Sequence, residues 1–313
     1  MNVRDLSPSE LRDQLERGAF RLRIGPFVAQ VRTGLASVVR SLGFFYGDYP
    51  LEPFEPFEPF EDDSGIADFH LRLAPPPGLR RYYRPQVLFF QDGRSQFQPY
   101  PQGLAPPLFE WGLNWCISKQ AHQYLIVHSA VVERGGRALL LPAHPGSGKS
   151  TLTAGLVHRG FRLLSDEHAL IRPEDGRIVP VPRPIALKNE SIAVIQKLGP
   201  ELVFGPTFHD TQKGDVAHLR VFEDSVKRSE ETAAPGWVVF PKFIKGGSHR
   251  LEPVAKAAAM MELVDNSINY SVLGSVGYRA LARLVDESTC LALDYEDLSR
   301  ALDELKHLPE RAL

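Results

Sequence analysis

The chain has 313 residues, 43% of them apolar, and a formal charge of −2. That length admits one large domain or two modest ones. The near-neutral balance, without a dense Lys/Arg stripe, removes the electrostatic case for a nucleic-acid partner. Two cysteines, Cys116 and Cys290, make neither a disulfide framework nor a metal cluster, and no apolar run approaches the roughly 18 residues of a membrane span. With no apolar signal region in MNVRDLSPSE, the expectation is a cytoplasmic protein with no membrane partner.

In chain order, residues 5–17 predict a short helix capped by Ser7 or Ser9, and Phe20 to Val31 a strand. Leu35 to Leu42 reads as a helix. In LEPFEPFEPFEDD, residues 51–63, Pro-Phe-Glu occurs three times. Prolines at every third position forbid a regular helix or a central strand, so the tract predicts an extended surface segment, either a variable loop or a docking element. Ile66 to Leu73 and Gln86 to Phe90 read as strands, and the Asp92-Gly93 turn suggests a hairpin to Ser95–Gln98. The Pro-rich stretch Pro101 to Pro107 is the expected boundary between a small, mostly β region (1–104) and the rest (105–313). Leu108 to Gln120 reads as a helix whose Phe109, Trp111 and Trp115 belong to a core. Leu125 to Val132 reads as a strand.

The most informative stretch follows. Ala138 to Leu141 is a short apolar run read as a buried strand. The loop Ala143-His144-Pro145-Gly146-Ser147-Gly148-Lys149-Ser150 comes next, and Thr151 to Arg159 reads as a helix ending at Gly160. Glycines let backbone N–H groups turn toward a phosphate, and the helix N-terminus adds positive potential at the same point. A lysine there can reach the outer phosphates, and a serine hydroxyl can ligate Mg²⁺. The pattern is a relaxed Walker A motif, because Ala143 stands where its first glycine usually is. The alternative is an ordinary Gly-rich loop carrying a lysine.

Phe161 to Leu164 reads as the next strand, ending at Ser165-Asp166-Glu167-His168, with Ala169–Arg172 continuing it and Arg177–Val181 pairing back through Asp175-Gly176. Ligands collect at the carboxyl edge of open α/β sheets. There Asp166 can hold Mg²⁺ or accept a proton from a hydroxyl nucleophile, or it can merely cap a turn. His128 lies within its strand, where a histidine is more often a satisfied structural residue. Three loops could bring a cation to a transferring phosphate: Arg183 with Lys188, Thr211–Asp215, and Lys245–Gly247. Arg183 is preferred. A short helix is expected at Ser191–Leu198, a strand at Trp237–Ile244, and helices at Val254–Leu263, Gly274–Leu284 and Asp297–Leu305.

His128-Ser129-Ala130, Leu139-Leu140-Leu141, Gly146-Ser147-Gly148-Lys149-Ser150-Thr151 and Arg159-Gly160-Phe161 through Ser165-Asp166-Glu167 run in the order found in HPr kinase/phosphorylase. The chain resembles the HPr-kinase-related group of bacterial proteins over about residues 125–172. The resemblance implies an α/β fold with a P-loop kinase core of the phosphoenolpyruvate-carboxykinase-like type. It further implies ATP and Mg²⁺ as cofactors and a serine side chain as acceptor. By that resemblance Asp166 is the base, His128 supports it, and Glu167 sits near the metal with Ser150. Residues His144 to Thr151, Pro145 and Lys149 among them, hold the nucleotide. The family's paired aspartates are Asp-Glu here, and Pro182 to Lys188 replaces its Glu-x-Arg-Gly signature. The expected acceptor is therefore a protein or peptide that need not be HPr, recognised through residues 1–104. A small-metabolite kinase and a non-catalytic ATP-binding regulatory module stay open, as does homo-oligomerisation.

Overall fold

The computed structural model describes residues 1–53, 67–78, 82–144 and 146–308. Most of the Pro-Phe-Glu tract and Pro145 lie outside the described residues. The chain is a mixed α/β protein that divides into two compact units, Met1–Ile117 with Gly205–Val216, and Ser118–Phe204 with Ala217–Leu313. The Pro101–Pro107 stretch, expected as the boundary, lies inside the first unit.

In the first unit α1 (Pro8–Arg17) opens with a reciprocal cap. Ser7 Oγ accepts from the Glu10 amide, and the Glu10 carboxylate accepts from the Ser7 amide. The stretch expected as one strand is a hairpin, β1 (Phe20–Ile24) and β2 (Phe27–Thr33). Gly25, at φ 56°, and Pro26 supply its turn. After α2 (Ala36–Phe45), β3 (Phe69–Ala74) pairs parallel with β2 and antiparallel with β4 (Gln86–Gln91), while β5 (Arg94–Ser95) and β6 (Tyr100–Pro101) flank β4. Helix α3 (Ala105–Gln120) starts earlier than the prolines suggest, because Pro106 and Pro107 occupy its first turn, where no amide partner is needed. Phe89 packs against Gly112 so closely that a Cβ there would meet the ring at 2.2 Å.

The second unit is built on a mixed sheet. Its central strands are β7 (Leu125–Arg134) and β8 (Arg137–Pro142), antiparallel through the Gly135-Gly136 turn. Helix α4 (Lys149–His158) follows the loop, starting two residues earlier than the pattern predicts. Strands β9 (Arg162–Ser165) and β10 (His168–Ile171) lie one after the other along the free side of β7, both antiparallel to it. They are one pairing interrupted at Asp166-Glu167. Strand β11 (Ile178–Val179) pairs back on β10, as the Asp175-Gly176 turn predicts. Strand β12 (Ile185–Lys188) and α5 (Glu190–Gln196) come next. The chain then passes through β13 (Phe208–Thr211), in the segment that belongs to the first unit, and β14 (Gly214–Leu219), before α6 (Glu223–Lys227) leads to β15 (Ala234–Phe243).

Strand β15 runs parallel to β8 on one side. On its other side it runs parallel to β17 (Thr289–Tyr295), which lies beyond β16 (Arg250–Pro253) and the helices α7 (Lys256–Asp265), α8 (Tyr270–Leu273) and α9 (Ser275–Glu287). Helix α10 (Leu298–Lys306), capped by Asp297, closes the unit. The core is continuous from Leu125, Val127 and Val131 through Leu140 and Val238 to Leu281 and Leu284. Strands β8 and β9 both end on the same edge of the sheet, on either side of β7. Among the described residues no helix is long and apolar enough to cross a membrane.

Candidate functional site

That shared edge gathers most of the polar residues singled out in the sequence. The loop after β8 carries Gly146 at φ 90° and Gly148 at φ 86°, backbone settings that L side chains rarely adopt. A Cβ on Gly148 would also stand 1.9 Å from the Tyr295 hydroxyl, which donates to the Gly148 carbonyl at 3.3 Å. Burial pushes the Tyr295 phenol above its ordinary value, so it stays a donor. The Phe243 amide donates to the Ser147 carbonyl at 3.1 Å. The ends of β15 and β17 thus brace the loop, and Gly148 is required both by conformation and by this contact.

Lys149, the first residue of α4, is 8% exposed. Its Nζ lies 2.9 Å from His128 Nε2 and 3.9 Å from Glu167 Oε2, and His128 Nε2 is 3.6 Å from Glu167 Oε1. Burial lowers the Lys149 pKa, and the nearby Glu167 and Asp166 charges oppose that shift. Burial pushes Glu167 up, but the nearby His128 and the Lys149 charge outweigh it and hold the carboxylate below its ordinary range.

Asp166 is 6% exposed. Its Oδ2 accepts from Ser150 Oγ at 3.3 Å and from the Ala186 amide at 3.1 Å, while its Oδ1 is buried with no hydrogen-bond partner. Desolvation is the main reason its pKa rises to about 6, against the pull of Lys149. Ser147 Oγ is likewise buried and unpartnered. Each orphaned oxygen, one on the loop and one on the acid that meets Ser150, is a polar group that a ligand would satisfy.

The other expected residues fall as follows. His128 faces Lys149 and Glu167 rather than supporting Asp166. His144 is exposed and sits 3.7 Å from Glu262 on α7. Thr151 is half-buried on α4. Arg183 is buried on the segment between β11 and β12, and its charge is felt at His168. His168 pairs across the strands with His128, and its Nε2 lies 2.8 Å from Ser118 Oγ. Burial depresses its pKa to about 3, so it is a neutral ring.

Sequence reasoning did not find Tyr295, the Ala186 amide or the Ser118–His168 pair. The short apolar run Cys290 to Leu293 is the available signal for the strand that carries Tyr295. A backbone amide leaves none.

A magnesium ion at such a site keeps several waters and takes only one or two protein groups beside the phosphates. Ser150 Oγ and the open Asp166 oxygen fit that demand. No group of three or more His, Cys, Asp or Glu suited to an all-protein metal cage occurs among the described residues.

No protein-family model matches the chain, and no curated protein matches it. Among solved structures, the Hpr(Ser) kinase/phosphatase from Coxiella burnetii is similar over 59% of this chain and 98% of that one, at 12% identity and a TM-score of 0.24. Similarity at that level carries no statement about what this chain does.

Proposed function

We propose that the second unit is an ATP- and Mg²⁺-dependent kinase that transfers the terminal phosphate to a hydroxyl, with a serine of a protein or peptide as the acceptor. The observation that carries this reading is the cluster at the end of β8 and β9. A buried lysine begins the loop helix, and a buried acid with one unpartnered oxygen stands beside the next residue's hydroxyl.

In this reading the loop residues from Gly146 to Thr151 turn backbone amides toward the phosphates, and Lys149 neutralises the outer ones. His128 and Glu167 hold Lys149 in place. Glu167, expected at the metal, is thereby occupied with the lysine. Ser150 and Asp166 are the residues that would hold Mg²⁺, which when bound spreads the phosphate charge. Asp166, near neutral in pKa, is also the group suited to take the acceptor proton. A pure binding module needs no such acid, which favours a kinase over a regulatory nucleotide sensor. Every residue of the cluster belongs to the second unit. We assign acceptor recognition to the first.

Isothermal titration with Mg-ATP tests the nucleotide reading. Lys149→Ala is expected to abolish measurable binding. An affinity within about threefold of the unsubstituted protein, only ~0.7 kcal/mol, would overturn the assignment. Transfer of labelled terminal phosphate to serine peptides against hydroxylated metabolites then separates the two acceptor classes.

A further inference from the structure

We infer that Lys188 is a second phosphate-binding cation, placed across from Lys149 to hold the terminal phosphate of the nucleotide. The inference rests on the nucleotide reading above and assigns a residue within the same site. It begins with β12, which packs along α4. The backbone of this strand reaches the site directly, since the Ala186 amide donates to Asp166 at 3.1 Å. Burial alternates along the strand. Ile185 and Leu187 face the interior, while Ala186 is half-buried and Lys188 exposed. Ala186 and Lys188 therefore share the face turned away from the core, two residues apart.

The position of Lys188 is fixed by its neighbours. Its amide donates to Ser191 Oγ at 2.8 Å, and that hydroxyl donates back to the Lys188 carbonyl at 2.6 Å. The next residue, Asn189, turns the chain into α5 at φ 51°, a costly conformation for a residue with a side chain.

The charge balance supplies the second argument. The Lys188 charge acts on Lys149 as a repulsion. Lys149 has Glu167 to offset it. Among the described residues no carboxylate comes within ion-pair distance of Lys188. Two ammonium groups thus act on each other, one of them without a counter-ion, where β12 packs along the helix that begins with Lys149. A polyphosphate resolves the repulsion and supplies the missing counter-charge. Arg183, the cation preferred from the sequence, is instead buried beside His168.

Mg-ATP and Mg-ADP titrations of Lys188→Met and Lys188→Arg test this. The residue is exposed, so both variants should fold, and melting curves will show it. The methionine variant should lose about tenfold or more in ATP affinity while ADP affinity stays within about twofold, as a charged hydrogen bond to the terminal phosphate implies. The arginine variant should recover most of the loss. Unchanged ATP affinity in Lys188→Met, with normal binding by the unsubstituted protein, would overturn the role of Lys188 alone. An equal loss for both nucleotides would also overturn it, because the contact would not be at the terminal phosphate. An unsubstituted protein that binds neither nucleotide would overturn the nucleotide reading itself.

Discussion

Asp166→Asn is expected to keep nucleotide binding near its original level and to lower phosphoryl transfer by about 10²–10⁴-fold, the usual contribution of a positioned base. The amide is nearly isosteric, and its oxygen can still accept from Ala186 and Ser150. What it removes is the ability to take a proton and the charge it would lend to Mg²⁺, whose remaining ligands would be Ser150, waters and the phosphates. The same substitution should stabilise the empty protein, and the pH dependence identifies why. The folded chain holds the Asp166 proton more tightly than the unfolded chain does, with a pKa of about 6 against 3.8. The stability this gives is complete below about pH 4 and is lost as pH rises through 6. Above that, the native fold carries a buried, half-satisfied carboxylate. Asp166→Asn should therefore be more stable at pH 8 by ~1–3 kcal/mol, with the advantage gone near pH 4. Transfer at the original rate would make Asp166 a structural residue. A stability difference that does not change with pH would show that its carboxylate is not strained by burial.

The second large effect lies at the opposite end of β7. Glu133 and Arg162 face each other across β7 and β9, each side chain 3% exposed, with Arg162 Nε donating to Glu133 Oε2 at 2.6 Å. The remaining guanidinium donors go to the Arg228 and Glu231 carbonyls at 2.6 and 2.9 Å, and Glu133 Oε1 accepts from the Gly136 amide at 2.6 Å. The network joins the β7–β8 turn to the segment after α6. Glu133→Ala leaves a buried cation without its anion, and the expected cost is roughly 3–5 kcal/mol in urea denaturation. Pairing it with Arg162→Met should recover much of that loss, since removing both charges ends the imbalance. A single-variant cost under about 1 kcal/mol would mean that water reaches Arg162. Nucleotide binding by the folded fraction should not change, because Glu133 stands five residues from His128 along the strand, ~16 Å away.

The loop and its helix are legible in the sequence because each signal is local. An apolar run, two glycines, a lysine and a 3.6-residue pattern follow one another without interruption. Asp166 is legible for the same reason, as the polar end of the next apolar run. What surrounds them is not local. Nothing near Lys149 predicts that Tyr295 braces Gly148, and the Ala186 amide that holds Asp166 has no side chain to announce it. Strand β17 went unread although Thr289 to Tyr295 is apolar and short, because it follows a strongly periodic helix with no Gly or Pro between them. The β1–β2 hairpin hides in a long apolar alternation whose only break is Gly25-Pro26. The division of labour between His128 and Glu167 depends on which side chains meet where β7 passes the break between β9 and β10, which only the pairing reveals.

The loop strand β8 takes its parallel neighbour from roughly a hundred residues later in the chain, where Val238 lies beside Leu140. The tyrosine that braces the loop comes later still. Closing a loop of that length is entropically slow relative to forming local hairpins. The Leu139–Leu141 amides should consequently gain protection from exchange after those of the β1–β2 hairpin during refolding, and pulse-labelling that finds them protected first would contradict this order. During synthesis the same geometry means that the lysine and its glycines leave the ribosome long before the strands that shape them. Nascent chains ending before Thr289 carry every residue of the glycine-containing loop and still lack the walls that hold it in form.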